Sequence, residues 1–255
     1  MHQNKLIFLG TGTSTGVPVL SCRCRTCLSE DFRDKRLRSS VYVEYEGVKF
    51  VVDCGPDFRQ QLFRHGIEEL DAILFTHGHR DHIGGIDDIR PLNYLQNKVL
   101  PMYVDRHVMK EIQRAFPYVF DPGEYTGSPR AEFLPIEPRM NIKGIVVEAF
   151  NVWHGKDIIW GFRFGFLAYI TDASRIEKST LDYLKGVKVL VINALRLEPH
   201  ETHFTLAEAL EVIQYIEPEQ AYLTHISHFM PPYRELQDLL PPGVTAAYDG
   251  LQIEF

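Results

Sequence analysis

Phe75-Thr76-His77-Gly78-His79-Arg80-Asp81-His82 is the stretch on which the reading of this chain turns. Three imidazoles and one carboxylate stand within six residues, directly after the apolar run Ala72-Ile73-Leu74-Phe75. Such a run reads as a short buried strand. His77 and His79 are two apart, so extended backbone sends both rings to one side. Gly78 lets the chain turn between them, and Gly84-Gly85 permits a tight passage into the next element. Asp81 and His82, adjacent and beyond the strand, aim at a second point. Imidazole nitrogen and carboxylate oxygen without thiolate suit zinc, manganese or iron. Solvation of a polar loop does not account for that crowding of ligand types.

Upstream, residues 40–45 and 48–53 alternate around Glu46-Gly47, the pattern of a two-residue hairpin. Asp53 closes the second strand. It suits either the second nitrogen of a ligating histidine or a cap for a helix over 57–65 that Gly66 stops. Cys54 reads as a small buried apolar residue. Residues 5–9 form a first strand, followed by the glycine- and hydroxyl-rich loop 10–18. That loop has neither the P-loop lysine nor dinucleotide glycine spacing, and serves as a plain turn or as a substrate lining. Next, Cys22, Cys24 and Cys27 stand at Cys-x-Cys-x2-Cys spacing. Three thiolates can share one zinc with a fourth ligand from elsewhere, and Arg23 and Arg25 favour the thiolate forms.

Downstream, residues 86–96 read as a helix interrupted by Pro91, and 101–104 as a strand. Asp105 then caps a helix with Val108, Ile112 and Phe116 on one face and His107 at the surface. Residues 117–140 hold five of the fifteen prolines and read as an irregular surface excursion placed to act as a lid. No linker divides the chain, so residues 1–255 are expected to form one domain. A strand over 145–150 delivers His154, and a long β-rich run over 158–170 hands over to Asp172. Alone, each would be a turn residue; beside the first motif, both become ligand candidates. A strand over 187–193 follows.

His200 and His203 precede Thr205-Leu206-Ala207-Glu208, a capping box opening an amphipathic helix. His203 is the functional candidate of the two, held beside a helix N-terminus. Strand 220–224 ends in His225-Ile226-Ser227-His228, and residues 245–255 read as a final hairpin around Asp249-Gly250.

Composition narrows the partners. The net charge of −7, with no basic block, argues against affinity built on a long nucleic-acid backbone without excluding it. A small anionic substrate stays open, because bound metal ions supply local positive charge. No apolar run reaches the roughly 18 residues of a membrane span, and the N-terminus lacks a secretory signal. Three cysteines in six residues suit metal ligation better than disulfides, which points to reducing cytoplasm.

The pattern His-x-His-x-Asp-His resembles the signature of metallo-β-lactamase-fold hydrolases. The later candidates extend that resemblance over nearly the whole chain, and Cys22, Cys24 and Cys27 with a late histidine make it most similar to the phosphoribosyl cyclic phosphodiesterases. The resemblance implies an α/β fold, a four-layer αβ/βα sandwich with metals at one edge. It further implies one metal at His77, His79 and His154, another at Asp81, His82 and His225, and Asp172 bridging. By the same resemblance, His228 completes a structural zinc site and His203 is the catalytic histidine, with Asp81 also at the reacting centre.

The expected activity is metal-dependent hydrolysis of small, including cyclic, phosphodiesters. Two divalent ions, zinc or manganese, about 3.5–4 Å apart would activate a bridging hydroxide and clamp an in-line displacement. A tRNA 3′-processing endonuclease, a thioester or lactam hydrolase, and a non-enzymatic metal-binding accessory protein are the alternatives. The residues leave a homodimer, the natural substrate and the role of His200 open.

Overall fold

The computed structural model describes residues 3–121 and 127–255. Its strands run β1 Lys5–Gly10, β2 Ser40–Tyr45, β3 Val48–Val52, β4 Ala72–Leu74, β5 Leu100–Val104 and β6 Ala131–Pro135. They continue as β7 Arg139–Ile142, β8 Ile145–His154, β9 Asp157–Phe164, β10 Leu167–Tyr169 and β11 Val189–Asn193, then β12 Gln220–Thr224, β13 Val244–Ala246 and β14 Gln252–Glu254. Two seven-stranded sheets result, ordered β14-β1-β2-β3-β4-β5-β6 and β13-β12-β11-β10-β9-β8-β7. In each, one side is antiparallel and the other parallel: β3 to β6 in the first, β10 to β13 in the second.

Side-chain alternation sorts these strands into layers. Leu6 and Phe8, Val52, Leu74, Val189 and Val191 point into a cluster shared by both sheets. Their neighbours Ile7, Leu9, Val51 and Ile73 face helices outside the first sheet. Leu190, Ile192, Ala221 and Leu223 face helices outside the second. Strands buried on both faces read as nearly continuous Val, Ile and Leu, as these do. Three apolar clusters separate four layers, so the expected αβ/βα sandwich is the observed architecture.

Several local expectations hold. Glu46 and Gly47 both have positive φ, 50° and 82°, the geometry of the tight hairpin turn. The segment around Pro91 is in two pieces, a 3-10 turn Ile86–Ile89 and a helix Arg90–Gln96. The Asp105 side chain accepts from Val108 N–H at 2.7 Å and caps Arg106–Ala115.

Two expectations need correction, and one β-rich run resolves further. The stretch 117–140 is not an irregular excursion: beyond the short helix Pro117–Phe120 it supplies β6 and β7, edge strands of the two sheets. Proline at a strand end or edge breaks no ladder, so its abundance did not signal irregularity. The part of the lid reading that concerns residues 122–126 lies outside the described residues. The run 158–170 is two strands, β9 and β10, folded back at Gly165, whose φ is 59°. The tail is no hairpin: β13 pairs with β12 in one sheet and β14 with β1 in the other. Asp249 anchors the crossing. Its carboxylate accepts from Thr11 N–H at 2.9 Å and Leu37 N–H at 2.7 Å.

The glycines around the histidine motif serve close approach rather than turning. Gly84 and Gly85 have φ of −70° and −101°. A Cβ on Gly55 would stand 2.0 Å from Asp81 O, and one on Gly85 2.1 Å from Gly55 O. The loop after β3 therefore packs backbone to backbone on the motif, with Cys54 N–H donating to His82 O at 2.8 Å. Cys54 is buried in the apolar layer outside the first sheet.

Candidate metal centre

The motif, the strand exits and the late histidines converge at one edge of the sandwich. His77 and His79 follow β4, and His82 sits on the one-turn helix Arg80–Ile83. His154 ends β8, while Asp172 and His225 follow β10 and β12. Trp160 N–H of β9 donates to Thr76 O at 3.0 Å and joins the two sheets there.

Asp172 is the meeting point. Its Oδ2 lies 3.3 Å from His203 Nε2, 3.5 Å from His82 Nε2 and 3.9 Å from His77 Nε2. Its Oδ1 lies 3.0 Å from His225 Nδ1. Ligand atoms of His77, His79 and His154 lie within 4.8 Å of one another, as do those of His77, His82 and Asp172, and those of His154, Asp172 and His203. Asp81 and His225 flank these groups rather than joining them: Asp81 Oδ2 is 3.3 Å from His82 Nε2, and His225 Nδ1 also meets Ser39 Oγ at 3.2 Å.

The outward nitrogens are fixed by partners behind them. His154 Nδ1 faces two carbonyls, Asp172 O at 2.6 Å and Thr202 O at 2.8 Å, so it carries the proton and Nε2 keeps a lone pair. Asp53 accepts from His82 Nδ1 at 2.7 Å and from the Thr76 hydroxyl at 2.8 Å. Having given its proton to Asp53, Thr76 Oγ1 accepts from His77 Nδ1 at 3.0 Å. Asp53 thus orients two histidines and does not cap a helix. Thr76 and Thr202 were not singled out from sequence; each is a hydroxyl residue within two positions of a functional histidine, and that adjacency was the only signal.

The donor set fits bound cations. His77 Nε2 and His79 Nδ1 face each other at 3.0 Å, close to the roughly 3.3 Å that two nitrogens span around one tetrahedral zinc. His82 Nε2 is buried without a hydrogen-bond partner among the described residues, with carboxylate oxygens of Asp81 and Asp172 at 3.3 and 3.5 Å from it. Burial lowers the pKa of His77 and His79 and pushes His225 down to about 3. Burial opposes ionisation of Asp172, yet His225 and His82 hold its carboxyl well below the usual range. Neutral imidazole and ionised carboxylate are the ligating forms. At His82, burial opposes a charge, but Asp172, Asp81 and Asp53 raise its pKa well above the ordinary value. A field that favours a proton at that point favours a metal ion as well.

Backbone conformation marks the same residues. Asp53, Asp172 and His225 all have left-handed φ, of 66°, 58° and 55°. Such residues cost free energy and cluster at functional sites. A small cleft, about 30 Å³, opens beside the centre and is lined by Gly78, His79, His107 and Asp157 among others. His107 is exposed, as expected, and borders that cleft.

The cysteines form a second cluster. Ligand atoms of Cys22, Cys24, Cys27 and His228 lie within 4.8 Å of one another, and His228 Nδ1 is 3.3 Å from Cys22 Sγ and 3.5 Å from Cys24 Sγ. Cys27 N–H points at Cys24 Sγ at 3.4 Å, and Val19 N–H at Cys27 Sγ at 3.3 Å. All four cysteines of the chain are free thiols. Among the described residues, no helix is long and apolar enough to cross a membrane.

Comparisons with known proteins agree with this fold. A β-lactamase superfamily domain model matches residues 49–226. A solved diphosphatase of the PhnP family superposes with TM-score 0.93 at 38% identity, covering 100% of this chain and 98% of that one. Short-form human tRNase Z superposes with TM-score 0.70 at 19% identity, covering 98% of each chain, a likeness of fold alone. A Porphyromonas gingivalis octanoyltransferase is 38% identical over 252 residues, 97% of this chain and 51% of that protein. The chain spans about half the length of the curated relatives it matches. It belongs to the β-lactamase superfamily and, within it, to the PhnP family.

Proposed function

We propose that this chain is a single-domain metal-dependent phosphodiesterase acting on small anionic diesters, cyclic ones included. His77, His79 and His154 would hold one divalent ion, zinc or manganese, and Asp81, His82 and His225 another, with Asp172 between them. Cys22, Cys24, Cys27 and His228 would hold a structural zinc. The observation that carries this reading is Asp172: one buried carboxylate within 4.0 Å of imidazole nitrogens from four different histidines. When bound, such an ion pair supplies Lewis acidity and an activated water for in-line displacement at phosphorus.

The chain's own residues do the rest. Asp53 and Thr76 keep the lone pairs of His82 and His77 aimed inward, and Thr202 O does so for His154. His203 stacks on His225 with ring centres 4.9 Å apart and stands edge-on to His154 at 4.7 Å. It presents Nε2 at the rim, where a general acid would meet a leaving oxygen. Three thiols gathered with His228 in a metal-type cluster support a reducing compartment.

A second reading is favoured by the name of the 38% identical neighbour, a diphosphatase: hydrolysis of a phosphoanhydride by the same residues. A panel of aryl phosphodiester, cyclic phosphodiester, diphosphate, thioester and β-lactam substrates decides. Turnover of diesters above all others supports the first reading, preference for diphosphates supports the second, and turnover confined to thioesters or lactams sinks both. The endonuclease reading rests on fold likeness and requires cleavage of precursor tRNA.

A further inference from the structure

Beside His77, His79 and His154 the surface opens into a cleft of about 30 Å³, with one wall from the helix Arg106–Ala115 and the other from β9. Both walls are fixed. Asp105, which caps the helix, also accepts from Trp160 Nε1 at 3.0 Å and so bolts the helix to β9. At the floor, Gly78 lies flat against the helix: an added Cβ would stand 3.1 Å from Glu111 Cγ and 3.5 Å from Val108 Cα. The space is therefore preformed, and its width is set by the side chains at its rim.

Those side chains are of two kinds. Ile158 and Trp160 are two apart on β9 and share a face, so the tie from Trp160 to Asp105 turns Ile158 toward the start of the helix. There Ile158 stays 52% exposed and, with the buried Val108, makes the lining apolar. His107 and Asp157 supply the exposed polar lining, an imidazole and a carboxylate. A hydroxyl can accept from an imidazole N–H and donate to a carboxylate oxygen at once. A single water needs about 10–15 Å³ of such space, so the cleft holds a chain of two or three heavy atoms, and a phenyl ring exceeds it.

We propose that this cleft is the subsite for the unreacted ester group of the substrate, and that it takes a short hydroxyalkyl chain. Ile158 limits the size of that group, and His107 and Asp157 receive its hydroxyl. The assignment deepens the diester reading above and rests on it for the bond that is broken. The preference itself is one of binding, set beside the His77, His79 and His154 cluster rather than within it.

The test uses the zinc-loaded full chain and three non-hydrolysable probes: 2-hydroxyethyl-, ethyl- and phenylphosphonate. By calorimetry the wild type should bind the hydroxyethyl probe about 3–10-fold tighter than the ethyl one, the span of one net hydrogen bond. It should bind the hydroxyethyl probe at least about 10-fold tighter than the phenyl one, the discrimination a closed pocket gives by size. His107→Ala should erase most of the first difference. Ile158→Ala should cut the second by about 10-fold. Both residues are exposed, so their truncation leaves the core packing in place. In turnover, the ratio of kcat/KM for ethyl p-nitrophenyl phosphate over phenyl p-nitrophenyl phosphate should fall by about 10-fold in Ile158→Ala, since only the unreacted ester differs. Equal wild-type affinity for the hydroxyethyl and phenyl probes overturns the assignment, and so does an Ile158→Ala ratio that stays at the wild-type value. Should the wild type hydrolyse neither diester, the phosphodiesterase reading fails, while the phosphonate affinities still decide what the cleft holds.

Discussion

His82 Nδ1 and Asp53 Oδ2 meet at 2.7 Å inside the protein, 29 residues apart in sequence. The same carboxylate takes the Thr76 N–H at 2.8 Å and the Thr76 hydroxyl at 2.8 Å, and so reaches His77 as well. One buried acid thereby orients one histidine of each proposed ion. Asp53→Ala should weaken metal binding at the histidine centre by about 10–100-fold. The cysteine-site metal should stay. Metal analysis after dialysis against a graded chelator series reads both, and equal loss from both centres would show that Asp53 acts only by holding the fold together.

His203 touches Asp172, yet the function proposed for it is proton transfer. His203→Ala is expected to lower turnover by about 10²–10⁴-fold, the span of general acid–base contributions. Metal content should remain at about three ions per chain, the sum of a two-ion centre and one structural zinc. A matching fall in metal content would make His203 a ligand instead.

Gly55 leaves no room for a side chain, since its added Cβ would stand 2.0 Å from Asp81 O. Because that neighbour is backbone, Gly55→Ala must shift the motif itself. A loss of about 1–3 kcal/mol in stability is expected, together with weaker metal binding. Gly12→Ala, whose added Cβ meets Arg36 Cβ at 3.0 Å, gives a milder control. Thermal melts and metal titration of both variants check this, and an unaltered centre in Gly55→Ala would refute the backbone-contact argument.

The thiols should differ in reactivity once the cysteine site is stripped of metal. Burial opposes the Cys24 thiolate, but the Cys27 N–H and His228 bring its pKa down to about 6. Burial pushes Cys27 up to about 11 and Cys54 well above the ordinary value. The thiolate is the reactive form, so Cys24 is mostly reactive at pH 7 and loses reactivity as the pH falls through about 6. Alkylation with peptide mapping between pH 5 and 8 (around the ordinary thiol range of about 8.5 and below) should label Cys24 before Cys27 and Cys54. Uniform labelling would contradict the local fields around Cys24.

The sequence alone determined the parts that depend on near neighbours. His77 to His82 lie within one strand exit and one helical turn, so spacing sufficed to aim their side chains at a common region. Apolar runs at β4 and β11 marked buried strands, because a strand covered by two layers has no polar side. Only the tertiary structure decided which strands pair. β6, β13 and β14 are held by main-chain hydrogen bonds to partners far away in sequence, and such bonds leave no local pattern. It also decided which nitrogen of each histidine faces inward. That choice belongs to Asp53, Thr76, Thr202 and Asp172 O, groups whose carbonyls, hydroxyls and carboxylate reach the rings only once the two sheets are packed together.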